Sequence, residues 1–197
     1  MALATTALAT ITLVASCKDA DPARPPPTPA LTKPLAMAPR PPPVTRALPE
    51  LDKPASWTVS SVENAQANIT AAGSGTQFAV TLTTANNSWA DVFAPLTIDA
   101  TAMQTLTFQI ELQADVPTVL YVYLKHQDPA EACRFRVDVS AFGAGPRTVS
   151  LPLADPEWKT AGFSLASVAV MHLVVDDASD ADAGRATLGV SGFQIKS

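Results

Sequence analysis

Residues 106 to 112 read Leu-Thr-Phe-Gln-Ile-Glu-Leu, and this alternation of apolar and polar side chains decides the fold class. Successive side chains of a β-strand point to opposite faces, so Leu106, Phe108, Ile110 and Leu112 would share one buried face. A helix would instead need apolar residues at positions i, i+3, i+4 and i+7, and no stretch of the chain keeps that spacing long enough. The stretch therefore predicts a strand with one face against a core.

The same two-residue period returns along most of the chain after Trp57, with turn residues between the stretches. The apolar positions that it places on buried faces are Phe78, Val80 and Leu82, then Leu120, Val122 and Leu124, then Phe135, Val137 and Val139, then Val149, Leu151 and Leu153, then Met171, Leu173 and Val175. Many short strands separated by turns are typical of a sandwich of two antiparallel sheets. We predict an all-β fold of nine or ten strands, with a single β-sandwich over residues 55–197.

The order of the predicted strands carries a family resemblance. Trp57 opens the domain, Ile98-Asp99-Ala100 leads into the strand at residue 106, and Val149-Ser150-Leu151-Pro152-Leu153 precedes Phe163-Ser164-Leu165. This layout resembles the galactose-binding-like jelly roll, which carbohydrate-binding modules and the complex I intermediate-associated protein family share. The resemblance covers residues 57 to 197 and implies a jelly roll.

Many domains of that type hold a structural calcium ion through an aspartate on the closing strand. Here the closing strand reads Leu188-Gly189-Val190-Ser191-Gly192-Phe193-Gln194-Ile195, and Ser191 or Gly192 stands at about the position of that aspartate. Calcium needs six or more oxygen ligands, and Glu63 near the opening strand does not supply such a set. The sequence therefore predicts no cofactor.

The first residues have the features of an export signal. Residues 1–16 carry no charge and form a short apolar run, shorter than the roughly 20 residues of a transmembrane helix. Val14-Ala15-Ser16-Cys17 resembles the lipobox of bacterial lipoproteins, whose cysteine receives a diacylglyceryl group and becomes the new N-terminus. The resemblance implies a signal peptide over residues 1–16 and a lipid on Cys17. It also implies an exported protein anchored to a bacterial membrane, and Lys18 favours the outer membrane or cell surface.

Residues 17–54 combine the lipidated cysteine with a proline-rich linker. The stretch from residue 18 to 54 holds twelve of the eighteen prolines and no glycine. Proline fixes φ and lacks an amide donor, so polyproline II at roughly 3.1 Å per residue is the favoured state. We predict a disordered, extended N-terminal tail that holds the domain away from the membrane.

The charge of the globular part excludes one class of partner. Residues 55–197 carry seven Lys and Arg against fourteen Asp and Glu, a net charge of −7. Nucleic acids attract basic surfaces, so the sequence predicts no nucleic-acid partner.

Side chains that could carry catalysis are scattered. His126 and His172 are the only histidines, and two of them do not make a zinc site. Cys133 has no histidine at a catalytic spacing, so we interpret it as a small buried apolar residue. The acidic run from Asp176 to Asp182 lacks the spacing of a calcium-binding loop and is typical of a solvated loop. We predict that the protein is not an enzyme.

The strongest functional pattern is a polar face left by the alternation. If Leu120, Val122 and Leu124 point inward, the tyrosines at 121 and 123 point outward, and a hairpin would set them beside the outward side chains of the next strand. Aromatic faces stack on sugar C–H groups, and charged planar groups exchange hydrogen bonds with sugar hydroxyls. The predicted ligand-binding residues are Tyr121, Tyr123, Arg134, Arg136, Asp138 and Trp89.

Three functions fit this pattern. The first is a surface lipoprotein carrying a non-catalytic carbohydrate-binding module, with a polysaccharide as partner. The second is a structural module of the cell envelope that uses the same sheet to dock a protein. The third is an enzyme acting on glycans, in which a single carboxylate such as Asp138 would be essential.

Overall fold

A computed structural model of the chain describes residues 42–82, 88–143, 145–177 and 183–197, which form an all-β domain. Its twelve strands in these residues are β1 Thr45–Ala47, β2 Thr58–Glu63, β3 Ala65–Ala72, β4 Gly75–Leu82, β5 Trp89–Ile98, β6 Thr105–Ala114, β7 Thr118–Lys125, β8 Ala132–Asp138, β9 Arg147–Pro152, β10 Trp158–Lys159, β11 Val168–Asp177 and β12 Gly184–Lys196. Three short 3₁₀ helices span Pro54–Ser56, Val139–Phe142 and Leu165–Ser167. None of the helices in these ranges has the length and apolar character needed to span a membrane. The predicted signal peptide, Cys17 and the proline-rich stretch up to residue 41 lie outside the described residues.

The strands form two antiparallel sheets that pack face to face. Sheet 1 has the order β3-β4-β12-β6-β9, with β1 also paired to β12. Sheet 2 has the order β10-β8-β7-β11-β5-β2. This is the predicted β-sandwich, of the jelly-roll type. It has more strands than predicted because β1 and β10 contain only three and two residues, too few to show a two-residue period.

The core lies between the sheets and contains nearly all the apolar positions that the alternation assigned to buried faces, Leu112 being only partly buried. Phe78, Phe108, Leu120, Leu124 and Met171 are all fully buried within it. Burying one large apolar side chain stabilises a fold by about 1.5–3 kcal/mol, so the periodic residues carry most of the folding energy. Their outward neighbours are left to form the two exposed faces.

The folded domain begins earlier than the sequence predicted. Strand β1 pairs with β12, and the Leu48 amide donates to the Phe193 carbonyl at 2.8 Å. Leu48 and Leu51 are fully buried, and the Trp57 indole N–H donates to the Leu51 carbonyl at 2.8 Å. The linker was predicted to run to residue 54, whereas residues 45–54 belong to the sandwich. Residues 45–54 are too short to show a two-residue alternation, and their prolines are typical of a linker, so the sequence did not identify the two core leucines.

The closing strand β12 is central to sheet 1 and carries an irregularity. Its first half pairs with β4 and its second half with β1, with a register shift between Ser191 and Gln194 beside β6. Gly192 lies in this shift with φ of +66°, a conformation that favours glycine. The glycine at this point of the closing strand therefore serves the backbone geometry of the bulge.

Candidate functional site

The outward face of sheet 2 carries an open groove of about 400 Å³. Alternate residues of four adjacent strands line it, because every second side chain of a strand points away from the core. The lining residues are Trp89 and Asp91 from β5, Val174 and Asp176 from β11, Tyr121, Tyr123 and Lys125 from β7, and Arg134 from β8. The groove therefore crosses the strands instead of following one of them.

The register of β7 and β8 sets tyrosines beside guanidinium groups. Tyr121 lies opposite Arg136, and Tyr123 lies opposite Arg134. The two strands form the predicted hairpin, which sets the tyrosines beside the outward side chains of β8. On the other side of β7, Tyr123 lies opposite His172 of β11, which in turn lies opposite Phe93 of β5. A row of planar groups thus runs across the centre of the sheet.

Cations cover both tyrosine rings. The Arg134 guanidinium carbon lies 4.9 Å from the centre of the Tyr121 ring, and Lys125 Nζ lies 5.4 Å from the centre of the Tyr123 ring. Arg134 also forms an ion pair with Glu157, in which Nε lies 2.9 Å from Oε2. A hydrogen bond with Tyr123 is the main reason that the pKa of Arg134 is raised. These contacts place a cation over a face of each tyrosine ring.

At the floor of the groove lies a nearly buried hydrogen-bonded pair that sequence reasoning did not find. His172 Nδ1 donates to both carboxylate oxygens of Asp91, at 2.9 and 3.0 Å, and each residue is 9% exposed. The Phe93 ring stacks on the His172 imidazole with centroids 5.6 Å apart. Asp91 lies two residues after Trp89, so strand alternation places both side chains on the same face. The partner of Asp91 could not be predicted, because β5 and β11 are far apart along the chain.

The structure separates the predicted site residues into two groups. Tyr121, Tyr123, Arg134 and Trp89 line the groove, with Trp89 on the far side of β11 from the tyrosines. Arg136 and Asp138 also point outward, but they line a neighbouring depression with Asp155 and Glu157. The difference arises because β8 is close to the sheet edge, so the end of this strand faces the segment between β9 and β10.

Only the start of the acidic run, which was interpreted as a solvated loop, lies within the described residues. Asp176, the first residue of that run, lies at the end of β11 and lines the groove. Asp180 and Asp182 lie outside the described residues. The groove therefore contains two carboxylates, Asp91 and Asp176, toward its β5 side and two cations, Lys125 and Arg134, toward its β8 side.

The side chains of Cys133 and His126 lie outside the groove, and their contacts are with the rest of the domain. Cys133 is fully buried, and burial raises the pKa of its thiol to about 12. His126 Nε2 lies 2.7 Å from the Ser164 carbonyl oxygen, and its ring stacks on Phe163 with centroids 5.0 Å apart. In the part of the chain that the structure describes, no group of three or more His, Cys, Asp or Glu side chains could hold a metal ion.

Comparison with solved structures identifies proteins that share the fold of this chain. No protein-family model and no curated protein matches the chain. The family 11 carbohydrate-binding module of the cellulosomal cellulase Lic26A-Cel5E of Clostridium thermocellum is similar in structure, with a TM-score of 0.55 and 14% identity over 77% of this chain and 94% of that one. The Clostridium thermocellum family 11 module in complex with a β-1,3-1,4-mixed-linked tetrasaccharide gives a TM-score of 0.52 and 13% identity over the same shares.

A third similar structure belongs to the carbohydrate-binding modules of the β-sandwich superfamily. It gives a TM-score of 0.52 and 16% identity over 71% of this chain and 56% of that one. At such low identities a structural likeness establishes a shared fold, and function must be argued from the site itself. The comparisons therefore agree with the β-sandwich of the jelly-roll type.

Proposed function

We propose that the protein is a non-catalytic carbohydrate-binding module whose ligand is a polysaccharide chain lying in the groove of sheet 2. The observation that carries the proposal is the groove itself, in which Tyr121, Tyr123 and Trp89 supply aromatic surface beside Arg134 and two carboxylates. Sugar rings present apolar C–H faces and a rim of hydroxyls, and a groove of this composition matches both. Its open form suits a long chain better than a small molecule.

The comparisons support the proposal through the fold. One similar module is recorded with a β-1,3-1,4-mixed-linked tetrasaccharide, which makes mixed-linkage β-glucan the first polymer to test. The proposed contacts in this chain are stacking on the two tyrosines and hydrogen bonds from Arg134 to sugar hydroxyls. The cations over both rings would move aside as the sugars stack.

The test is retention in native gels that contain soluble polysaccharides, beginning with mixed-linkage β-glucan and continuing through a panel of other glycans. Wild-type protein should be retarded by at least one polymer. Tyr121→Ala combined with Tyr123→Ala should lose most of that retention and keep the same circular dichroism spectrum. Gln77→Ala combined with Thr187→Ala is the matched control, because both residues are half-buried on the outward face of sheet 1.

Failure of wild-type protein to bind any polymer of a broad panel would overturn the proposal. In that case crosslinking in intact cells would test the alternative of an envelope protein docked on the same sheet. Hydrolysis of a glycan, abolished by Asp138→Asn, would instead show an enzyme.

A lipid on Cys17 would place this module outside a bacterial membrane, and we include it in the proposal. Its support is the lipobox-like run Val14-Ala15-Ser16-Cys17, followed by a proline-rich stretch suited to a spacer. Labelled palmitate should be incorporated by wild-type protein and not by Cys17→Ser. Cys133→Ala is the control and should keep the label, because Cys133 is buried in the domain. Equal labelling of wild type and Cys17→Ser would exclude the anchor.

A further inference from the structure

The three tryptophans have very different surroundings. Trp57 is 5% exposed, and its indole N–H is hydrogen-bonded, whereas Trp89 is half-buried in the wall of the groove. Trp158 is 47% exposed, and no other aromatic side chain in the described residues is as exposed. Within those same ranges its indole N–H has no hydrogen-bond partner and its ring has no aromatic or cationic neighbour.

The strand register places Trp158 on the same face as the groove. In β10, Trp158 lies directly opposite Arg134 of β8, and paired residues of antiparallel strands point to the same side of the sheet. Arg134 in turn lies opposite Tyr123. Trp158 therefore continues the row of planar groups by one strand, beyond the last residue that lines the groove.

The backbone on both sides of Trp158 is held in place. The Thr160 amide donates to the Ala132 carbonyl at 2.9 Å, and the Thr160 hydroxyl donates to Glu131 Oε2 at 2.5 Å. On the other side, Glu157 pairs with Arg134. The pairing of β10 with β8 and these contacts fix the backbone at Trp158, which lowers the backbone entropy lost when a ligand binds there.

We propose that Trp158 forms an outer subsite of the groove and stacks a sugar ring of the same polysaccharide chain. This inference rests on the proposed function. The five strands from β5 to β10 span roughly 19 Å at about 4.8 Å between neighbours, which is room for several sugar rings in line. The site would thus recognise an internal stretch of a linear polysaccharide, with Trp89 near one end and Trp158 at the other.

The inference predicts that the effect of removing the indole depends on ligand length. Isothermal titration calorimetry should be run with di-, tetra- and hexasaccharides of the polymer that wild-type protein retains in gels, starting with β-1,3-1,4-glucan. Trp158→Ala should weaken binding of the hexasaccharide roughly tenfold, the size expected when a stacked aromatic anchor is truncated. It should change binding of the shortest bound oligosaccharide less than about twofold. Trp158→Phe should restore most of the affinity because it keeps a stacking face.

Val62→Ala is the matched control, since Val62 is 44% exposed on β2 at the opposite edge of sheet 2 and should leave binding unchanged. A second measurement uses iodide, which quenches the fluorescence of accessible indoles. Trp89 is half-buried in the groove and is also partly accessible, so the difference in quenching between wild type and Trp158→Phe reports Trp158. The hexasaccharide should reduce this difference and the shortest bound oligosaccharide should not.

The failure of this inference can be told apart from the failure of the proposed function. If wild-type protein binds oligosaccharides but Trp158→Ala matches it at every length and iodide quenching is unaffected, the outer subsite is wrong and the groove stands. If wild-type protein binds no polymer or oligosaccharide, both proposals are overturned.

Discussion

Cys133 is a buried thiol whose chemistry follows from its position between the sheets. Cys133 is fully buried in β8, where it lies opposite Leu124 of β7. Burial raises the pKa of its thiol from 9.0 to about 12. The thiolate is the reactive form of cysteine, so the folded protein presents no nucleophile at this residue near neutral pH. The side chain contributes to the core as a small apolar group.

The raised pKa of Cys133 predicts a pH dependence of stability. In the unfolded chain the thiol loses its proton near pH 9, whereas in the folded protein it keeps the proton up to about pH 12. Between these values the unfolded state binds one proton fewer, so the free energy of unfolding should fall by about 1.4 kcal/mol per pH unit as pH rises. Below pH 9 the contribution is complete. Urea unfolding of wild type and Cys133→Ala from pH 8 to 11 measures the difference in slope, and parallel curves would contradict this account.

The hydrogen-bonded pair of Asp91 and His172 supports the floor of the groove. Asp91→Ala would leave the Nδ1 proton of a nearly buried imidazole without its acceptor, because the two residues are each 9% exposed. We expect a loss of about 3 kcal/mol in the free energy of unfolding. Asp91→Asn keeps an acceptor oxygen and should lose less. Urea unfolding at pH 7 checks both variants, and a wild-type midpoint for Asp91→Ala would show that the pair does not stabilise the fold.

At the scale of strands, side-chain alternation predicted which residues face the core but not which strands are neighbours. The pairing of β7 with β8 could be predicted because these strands are consecutive along the chain. The groove also needs β5 beside β11 and β11 beside β7, and these pairings join segments far apart in sequence. A two-residue period carries no information about such pairings, so the contact between Asp91 and His172 and the position of Trp158 beside Arg134 could not be predicted.

Because strand β1 and the turn after it belong to the folded domain, we expect two truncated proteins to differ sharply in stability. A fragment of residues 42–197 keeps Leu48 and Leu51 in the core, while a fragment of residues 55–197 leaves their space empty. Losing a buried leucine side chain costs about 2–5 kcal/mol, and two such losses approach the whole stability of a typical domain. The longer fragment should melt cooperatively in near-ultraviolet circular dichroism, and the shorter one should not.

Leu48→Ala combined with Leu51→Ala in the longer fragment tests whether the leucines are the cause. This variant should lose most of the stability that separates the two fragments, since it removes the same apolar volume without shortening the chain. Equal melting temperatures for both fragments would place the boundary of the folded domain back at residue 54.

For the whole molecule, the site is a property of sheet 2 and not of a loop. The groove takes side chains from four strands, and the row of planar groups extends across a fifth. A small β-sandwich that unfolds in one cooperative step cannot lose part of this surface without losing all of it. A ligand that bridges the strands must therefore stabilise the entire domain.

This coupling gives a prediction about thermal unfolding. At a ligand concentration one hundred times Kd, binding to the folded state alone adds about 2.7 kcal/mol of stability. For a domain of this size, that free energy raises Tm by about 5–10 °C. Differential scanning fluorimetry with the bound oligosaccharide should show the shift for wild type and none for Tyr121→Ala combined with Tyr123→Ala. An equal shift in both proteins would mean that the sugar binds elsewhere on the domain, because the tyrosines lie at the centre of the proposed groove.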